Sequence, residues 1–180
     1  MNEGLIPRRY AKALFKVDTE RNSANRSYEL MKQLCVAFKS NRQLAAVVNN
    51  PFVDNADKVR LLNSAAGAQA RDTTFADFLQ LLVENRRVGI ILPIAMAYID
   101  IFRKANNVRC VEVVAAAQPD AKTIDRIKSV VNSCIGHASM EFSTRVDENL
   151  IGGFIINIDN ECLDASIRNR FKEMRLTLLN

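Results

Sequence analysis

The chain is poor in the residues that carry chemistry. Of 180 residues only His137 is a histidine, and the four cysteines, Cys35, Cys110, Cys134 and Cys162, stand far apart with no short-spaced pair. One histidine and scattered thiols do not assemble an ordinary zinc set, so no metal site is expected. Each cysteine sits in an apolar or strand-like context, which suits buried free thiols in a reducing compartment. His137 lies in Gly136-His137-Ala138-Ser139, between an expected helix end and a strand, and reads as a loop or capping residue rather than a catalytic base. The acidic pairs Asp54 with Asp57 and Asp147 with Glu148 fall at helix starts and turns, where carboxylates cap and solvate. No G-x-x-x-x-G-K-S/T run exists to cradle a phosphate. These scarcities exclude a recognisable active site and leave no cofactor to expect.

Other scarcities bound the class. With only four prolines and six glycines, 25% charged and 48% hydrophobic residues, the composition is that of a globular chain and not a disordered one. No apolar run approaches the roughly 20 residues of a membrane span. The longest, Val88 to Ile99, is broken by Pro93, so no transmembrane segment is expected. The first residues are basic, but Glu3 and the lack of a central apolar block argue against a secretory signal. The first helix begins only a few residues from Met1, which reads as a mature, non-exported protein. Charge is uneven: residues 1–105 carry sixteen Lys and Arg against ten Asp and Glu, while residues 106–180 carry nine against ten. The basic excess therefore belongs to the first half. It suits a polar-faced helix, nucleic acid or anionic lipid.

What is present falls into two halves with different periods. Up to about Ala105 the pattern is helical. In the first helix, Tyr10, Ala13, Leu14 and Val17 share one face, with Arg8, Lys12 and Lys16 as a cationic row beside it. Tyr28, Met31, Leu34, Cys35 and Phe38 mark a second helix, and Leu44 to Val48 a short apolar turn stopped by Asn49-Asn50-Pro51. Asp54 is placed to cap a helix ending near Gly67, and Asp72 or Thr73 to open one carrying Phe75, Phe78, Leu79, Leu82 and Val83. A last helix runs from about Gly89 to Lys104, with Pro93 tolerated in its first turns. After Asn106-Asn107 the period becomes two. Val108 to Val114 reads as a strand, Pro119-Asp120 opens a helix with Ile124, Ile127, Val131 and Cys134 on one face, and Gly136 stops it. Met140 to Val146, the turn residues Asp147-Glu148-Asn149 and Leu150 to Ile158 read as a hairpin. Ile167, Phe171, Met174 and Leu178 stripe a final helix, with Asp164 as its N-cap and Ser166 in its first turn. The expected fold has two domains. An N-terminal all-α six-helix bundle spans 1–105, and a small C-terminal α+β domain ordered β-α-β-β-α spans 106–180.

Three motifs, in order, carry a resemblance. Asp147-Glu148-Asn149-Leu150-Ile151-Gly152-Gly153-Phe154, followed by Leu163-Asp164-Ala165-Ser166-Ile167-Arg168, is similar to the C-terminal signature of the ATP synthase delta subunit family, which includes the mitochondrial oligomycin-sensitivity-conferring protein. Tyr10-Ala11-Lys12-Ala13-Leu14-Phe15 resembles that family's opening pattern, and Phe78 through Arg87 its fifth helix with the Glu-Asn-x-Arg ending. Ala165 stands where the family often has glycine, and Pro119-Asp120 where it often has Pro-Leu. The glycine pair itself reads as a bulge or tight packing point.

The resemblance implies a noncatalytic delta subunit of an F-type ATP synthase, peripheral on the cytoplasmic face of a bacterial inner membrane. Such a subunit links the catalytic head to the peripheral stalk, so that the head is held still while the central shaft turns. The N-terminal domain is implied to hold the N-terminal helix of an alpha subunit between its first and fifth helices. The C-terminal domain is implied to contact the C-terminal part of a b-type stalk subunit, with the last helix as the leading surface. Carried onto this chain, the groove residues are Tyr10, Ala13, Leu14 and Val17 opposite Phe78, Leu81 and Leu82, with Arg86 or Arg87 toward the acidic side of the bound helix. That is helix-in-groove recognition, with apolar anchors dominating. Both stripes also suit the bundle interior: Leu14, Phe75 and Leu79 read as core, while Ala13, Leu81 and Leu82 fit either role.

A basic RNA-binding protein is the competing reading, encouraged by a pI of about 9.2. Against it, the cations are spread over several helices and the strands show neither an aromatic stacking platform nor a Gly-x-x-Gly clamp. A membrane-surface adaptor using the basic first helix is a lesser option, since its apolar face is short.

Overall fold

A computed structural model describes residues 4–135, 139–147, 149–159 and 161–179. Gly136, His137 and Glu148, to which the sequence assigns stop, loop and turn roles, lie outside the described residues, as do the side chains of Cys134 and Leu178. The chain is mostly helical with a C-terminal α/β part, and divides into two compact units, 1–105 and 106–180.

Unit one contains α1 (Leu5–Glu20), α2 (Ala24–Ser40), α3 (Arg42–Asn49), α4 (Asn55–Ala66), α5 (Thr73–Glu84), a 3-10 turn (Val88–Ile90) and α6 (Ile91–Ala105). The apolar turn expected at Leu44 to Val48 is a full two-turn helix, because the Asn41 side chain caps it by accepting the Gln43 N–H at 3.0 Å. α4 ends at Gly67, which takes φ 66° and closes the last turn as only glycine does without strain. Helix α6 is the hub, packing on α1 and α2 through Ile91, Ile94, Ala95, Tyr98 and Phe102, all buried. Tyr28 stacks on Phe102 with centroids 4.2 Å apart, while Phe15 meets Phe102 and Tyr98 edge-on.

A polar node sits inside this apolar core. Asp18 is fully buried on α1 and accepts from the Tyr98 hydroxyl on α6 and the Ser23 hydroxyl, both at 2.7 Å. Burial, then the hydrogen bond to Asp18, pushes the Tyr98 phenol far above its ordinary range, so it stays a donor. The node ties α1 to α6 and to the start of α2 with directional bonds that apolar packing does not provide.

Unit two is ordered β1 (Val108–Ala115), α7 (Ala121–Ile135), β2 (Ser139–Val146), β3 (Gly153–Ile158), β4 (Glu161–Ser166) and α8 (Ile167–Leu179). The four strands form one mixed sheet in the order β2-β1-β3-β4. Two sequence expectations are corrected here. Among the described residues the sheet has four strands, since Glu161–Ser166 pairs antiparallel with β3; mostly exposed and without apolar alternation, it is an edge strand with little patterning signal. The hairpin is β3–β4, not β2–β3. β2 instead pairs parallel with β1, and β3 lies on β1's other side. The chain does reverse between β2 and β3, but it crosses the end of β1, where Asp147 N–H donates to Ala115 O at 2.9 Å. Asp159, at φ 49°, makes the tight β3–β4 reversal, and its carboxylate accepts from the Cys110 N–H and the Arg109 guanidinium.

The core of this unit is aliphatic: Val111, Val113, Ile127, Val131 and Ile156, with Met140, Phe142, Phe154 and Ile158 packed around it. Asp120 starts α7 by accepting the Thr123 N–H at 3.2 Å, so the departure at this position is itself a cap. For α8 the N-cap is Ser166 rather than Asp164. The Ser166 hydroxyl accepts the Asn169 N–H at 3.2 Å, and Asp164 accepts the Ser166 N–H at 2.8 Å inside β4. The glycine pair closes onto this corner. Gly152 O accepts the Ile167 N–H at 3.0 Å, Gly153 adopts φ 82°, and a Cβ on Gly153 would stand 2.5 Å from Ala165 O.

Candidate functional site

Helices α1 and α5 run side by side and antiparallel, tied at both ends. At one end Arg21 Nη1 donates to Thr74 Oγ1 at 3.2 Å; at the other the Arg87 guanidinium lies 5.9 Å from the Tyr10 ring centroid. Since α1 packs mainly on α6 and α2, and α5 on α4, the line between the two tied ends is the candidate furrow. Its length follows from eleven residues of α1, about 16 Å at 1.5 Å per residue.

The residues singled out from sequence divide between floor and surface. Leu14, Phe78 and Leu82 are 4%, 7% and 0% exposed, so they form the floor and hold the helices to the bundle. Ala13 is exposed, Val17 is 38% and Leu81 45% exposed, and Tyr10 is half-buried under Arg87. Phe75 and Leu79 are core. This split follows the helical period: Leu14 and Val17 differ by about 60° around α1, enough to turn one inward and the other to water. Arg86 is exposed and has φ 55°, in the left-handed region where glycine usually ends a helix. The Arg86 and Arg87 N–H groups nevertheless donate back to Val83 O and Leu82 O, closing α5. The end-to-end ties were missed by sequence reading, since no local pattern pairs Arg21 with a threonine 53 residues away.

Another pairing secures the far side of α5. Arg26 Nε and Nη2 grip the Asp72 carboxylate at 3.0 and 2.8 Å, and Asp72 also accepts the Gln69 N–H at 2.8 Å. The Arg26 hydrogen bonds hold Asp72 below the usual carboxylate range. Asp72 thus sits at the N-cap position of α5 but spends its side chain on α2. In unit two an apolar surface is also open: on α8 Phe171 and Met174 are 65% and 58% exposed, near Ile167 in the same stripe.

Two hollows are lined mainly by apolar side chains and the stems of cations. One, of about 650 Å³, runs along the outward side of α1 and is walled by the stems of Arg9, Lys12 and Lys16 with Ala13 and Phe15. Another, of about 260 Å³, lies in unit two among Val113, Ala115, Pro119, Ile127 and Phe154. Among the described residues no group of three His, Cys, Asp or Glu is placed to hold a metal ion, and no helix is long and apolar enough to cross a membrane.

Comparison with known proteins supplies the family. A family model described as ATP synthase delta (OSCP) subunit matches residues 6–178. The ATP synthase subunit delta of Bacteroides thetaiotaomicron is 32% identical over 176 residues, covering 97% of this chain and 94% of that protein. That of Parabacteroides distasonis is 31% identical, covering 99% and 98%. In fold the chain is similar to a component of the Toxoplasma gondii mitochondrial ATP synthase hexamer, with a TM-score of 0.72 at 20% identity over 97% of both chains. With a family model matching nearly the full length and curated relatives above 30% identity over almost the whole of both chains, the chain belongs to the ATP synthase delta (OSCP) subunit family.

Proposed function

We propose that this chain joins the catalytic head of its ATP synthase to the peripheral stalk through two separate surfaces. Its role as a noncatalytic delta subunit of an F-type ATP synthase follows from its family. The finer reading assigns the α1/α5 furrow to the N-terminal helix of an alpha subunit, and the open stripe of α8 to the C-terminal part of a b-type stalk subunit. A linker of this kind carries torque as strain between two docked partners, so it needs firm grips and no reactive groups. With bacterial relatives of this similarity, the assembly belongs on the cytoplasmic face of an inner membrane, with this subunit peripheral.

One observation carries the furrow reading: two helices are tied at both ends, over a buried floor of Leu14, Phe78 and Leu82, while Ala13, Val17 and Leu81 remain open between them. An amphipathic helix with anchors at i, i+3, i+4 and i+7 matches such a trough, and the small Ala13 lets its backbone come close. The test is titration of an alpha-subunit N-terminal peptide against the full chain and its Ala13→Asp variant. Ala13 is exposed, so the variant keeps its helical circular dichroism, and an aspartate forced against apolar anchors lowers affinity by at least about tenfold. Equal affinity removes the furrow from consideration.

A further inference from the structure

The sheet of unit two ends in two edge strands that treat their outer sides differently. β4 is six residues long and bonds to its own neighbourhood. Asp164 accepts the Ser166 N–H at 2.8 Å, and Asn169 Nδ2 donates to Asp164 O at 3.4 Å. β2 is eight residues long without proline or glycine, and beyond it no further strand pairs among the described residues. The backbone N–H and C=O groups of such an edge are a template for another strand. Alternation sorts the side chains of β2. Met140 and Phe142 pack on the aliphatic core, and Thr144 and Val146 continue that face. Glu141, Ser143 and Arg145 stand on the other, where Arg145 meets Glu112 at 3.6 Å.

We propose that β2 pairs antiparallel with β2 of a second copy of this chain, about a two-fold axis through Ser143. In an isologous contact residue i meets j and j meets i, so the strand must complement its own reverse. The axis stands normal to the sheet and keeps each side chain on its own face, so the register is centred on a residue. Centred on Ser143, every pair matches: Glu141 faces Arg145 on both sides of the axis, Phe142 faces Thr144, and Met140 faces Val146. Val146 is 47% exposed in the single chain, and this pairing covers it. The neighbouring registers lose the match. Centred on Thr144, Glu141 faces Asp147; centred on Phe142, both charges face serines, Glu141 against Ser143 and Arg145 against Ser139. The Arg145 side chain is 61% exposed and a guanidinium has several N–H donors, so it reaches a second carboxylate while keeping Glu112. A carboxylate likewise accepts several hydrogen bonds, and Glu141 keeps its other contacts. One strand per copy is a small interface, so the pairing is weak, with a Kd on the order of 0.1 mM. It shields, in the free chain, an edge that otherwise recruits strands indiscriminately. The proposal does not depend on the furrow.

Sedimentation of the full chain over a range of concentrations tests it, and dimer replaces monomer as concentration rises. Glu141→Arg and Arg145→Glu, each with an unchanged circular dichroism spectrum, weaken self-association at least about tenfold, because like charges then oppose. An equimolar mixture of the two variants restores it, since every cation of one copy then faces an acid of the other. Independently of these variants, Ser143→Cys forms an intermolecular disulfide under mild oxidation, mapped by peptide mass to position 143 of both copies, and Ser139→Cys does not. A mixture as weak as its components, or crosslinking at position 139 as fast as at 143, overturns the pairing. A chain that stays monomeric up to about 1 mM also overturns it, and leaves the edge to an extended segment of another protein.

Discussion

The two units hold themselves together by different means. The helical unit places polar groups deep inside: Asp18, Ser27 and Asp72 are all nearly inaccessible, and hydrogen bonds from Tyr98, Ser23 and Arg26 satisfy the two carboxylates. The α/β unit keeps an aliphatic core, with its polar contacts at the corners, at Asp159, Ser166 and the Gly152–Ile167 bond, and across the strands, where Asn157 and Arg145 meet Glu112. In a sheet the ladder already fixes register, so the core needs only volume and apolarity. Packed helices slide and rotate more easily, and a buried hydrogen-bonded node sets α1 at one rotation against α6. That rotation decides which face of α1 lines the furrow. Polar groups in the helical core therefore set which side chains of α1 are left exposed, whereas the apolar stripe of α8 needs only to project from β4.

This contrast is most severely tested in unit two. Gly153→Val places a Cβ against Ala165 O at a residue with φ 82°, so unit two loses about 3 kcal/mol or more while unit one melts unchanged. Two-transition calorimetry reads both; a shift of both transitions together would break the separation of the units. Next in size, Leu82→Ala opens a cavity in the fully buried floor and costs about 3 kcal/mol, whereas Leu81→Ala beside it leaves stability within about 0.5 kcal/mol and weakens alpha-peptide binding. Equal destabilisation by the two leucine variants in urea titrations would show that floor and surface are not distinct.

Removing the Arg26 guanidinium by Arg26→Ala leaves the buried Asp72 carboxylate short of its partner, costing about 2 kcal/mol at neutral pH. The lowered pKa of Asp72 means its contribution is complete above the unfolded carboxylate pKa of about 3.9 and fades as pH falls through the folded value. The stability-versus-pH curve of the variant is therefore flatter on the acid side, and an identical acid limb would remove this pair from the helical unit's polar framework. The smallest effect belongs to Arg86→Gly. Relief of a left-handed residue raises the thermal midpoint of unit one, worth about 1 kcal/mol, while weakening an acidic peptide. A variant that is less stable would mean that Arg86 holds α5 by its side chain.

Much of this was legible in the residues because it is local. The 3.6-residue stripes of α2, α5 and α6, the Gly67 stop, and the change of period after Asn107 each follow from neighbours within a turn or two. The family resemblance singled out Tyr10 and Leu81, which the structure leaves half-buried and exposed. Less legible was Glu161–Ser166, an edge strand whose exposed residues show no alternation, and the choice of Ser166 over Asp164 as cap, which a shift of two residues decides. The β2–β3 hairpin expectation failed for a different reason. A turn signal says that the chain reverses, not which strand waits beside it, and β1, buried at Val111 and over Val113 to Ala115, takes the centre.

Sequence alone determined most of the helices, the helical and α/β character of the two halves, the scarcity of catalytic groups and the family, because composition, period and motif are properties of short stretches. Only the tertiary structure decided which leucine is floor and which is surface, that Arg21 and Arg87 tie α1 to α5 at both ends, and that Asp18 is shared with Tyr98. Those outcomes depend on the rotation of one helix against another. That rotation is set by contacts between residues 50 to 80 positions apart, which no local pattern encodes.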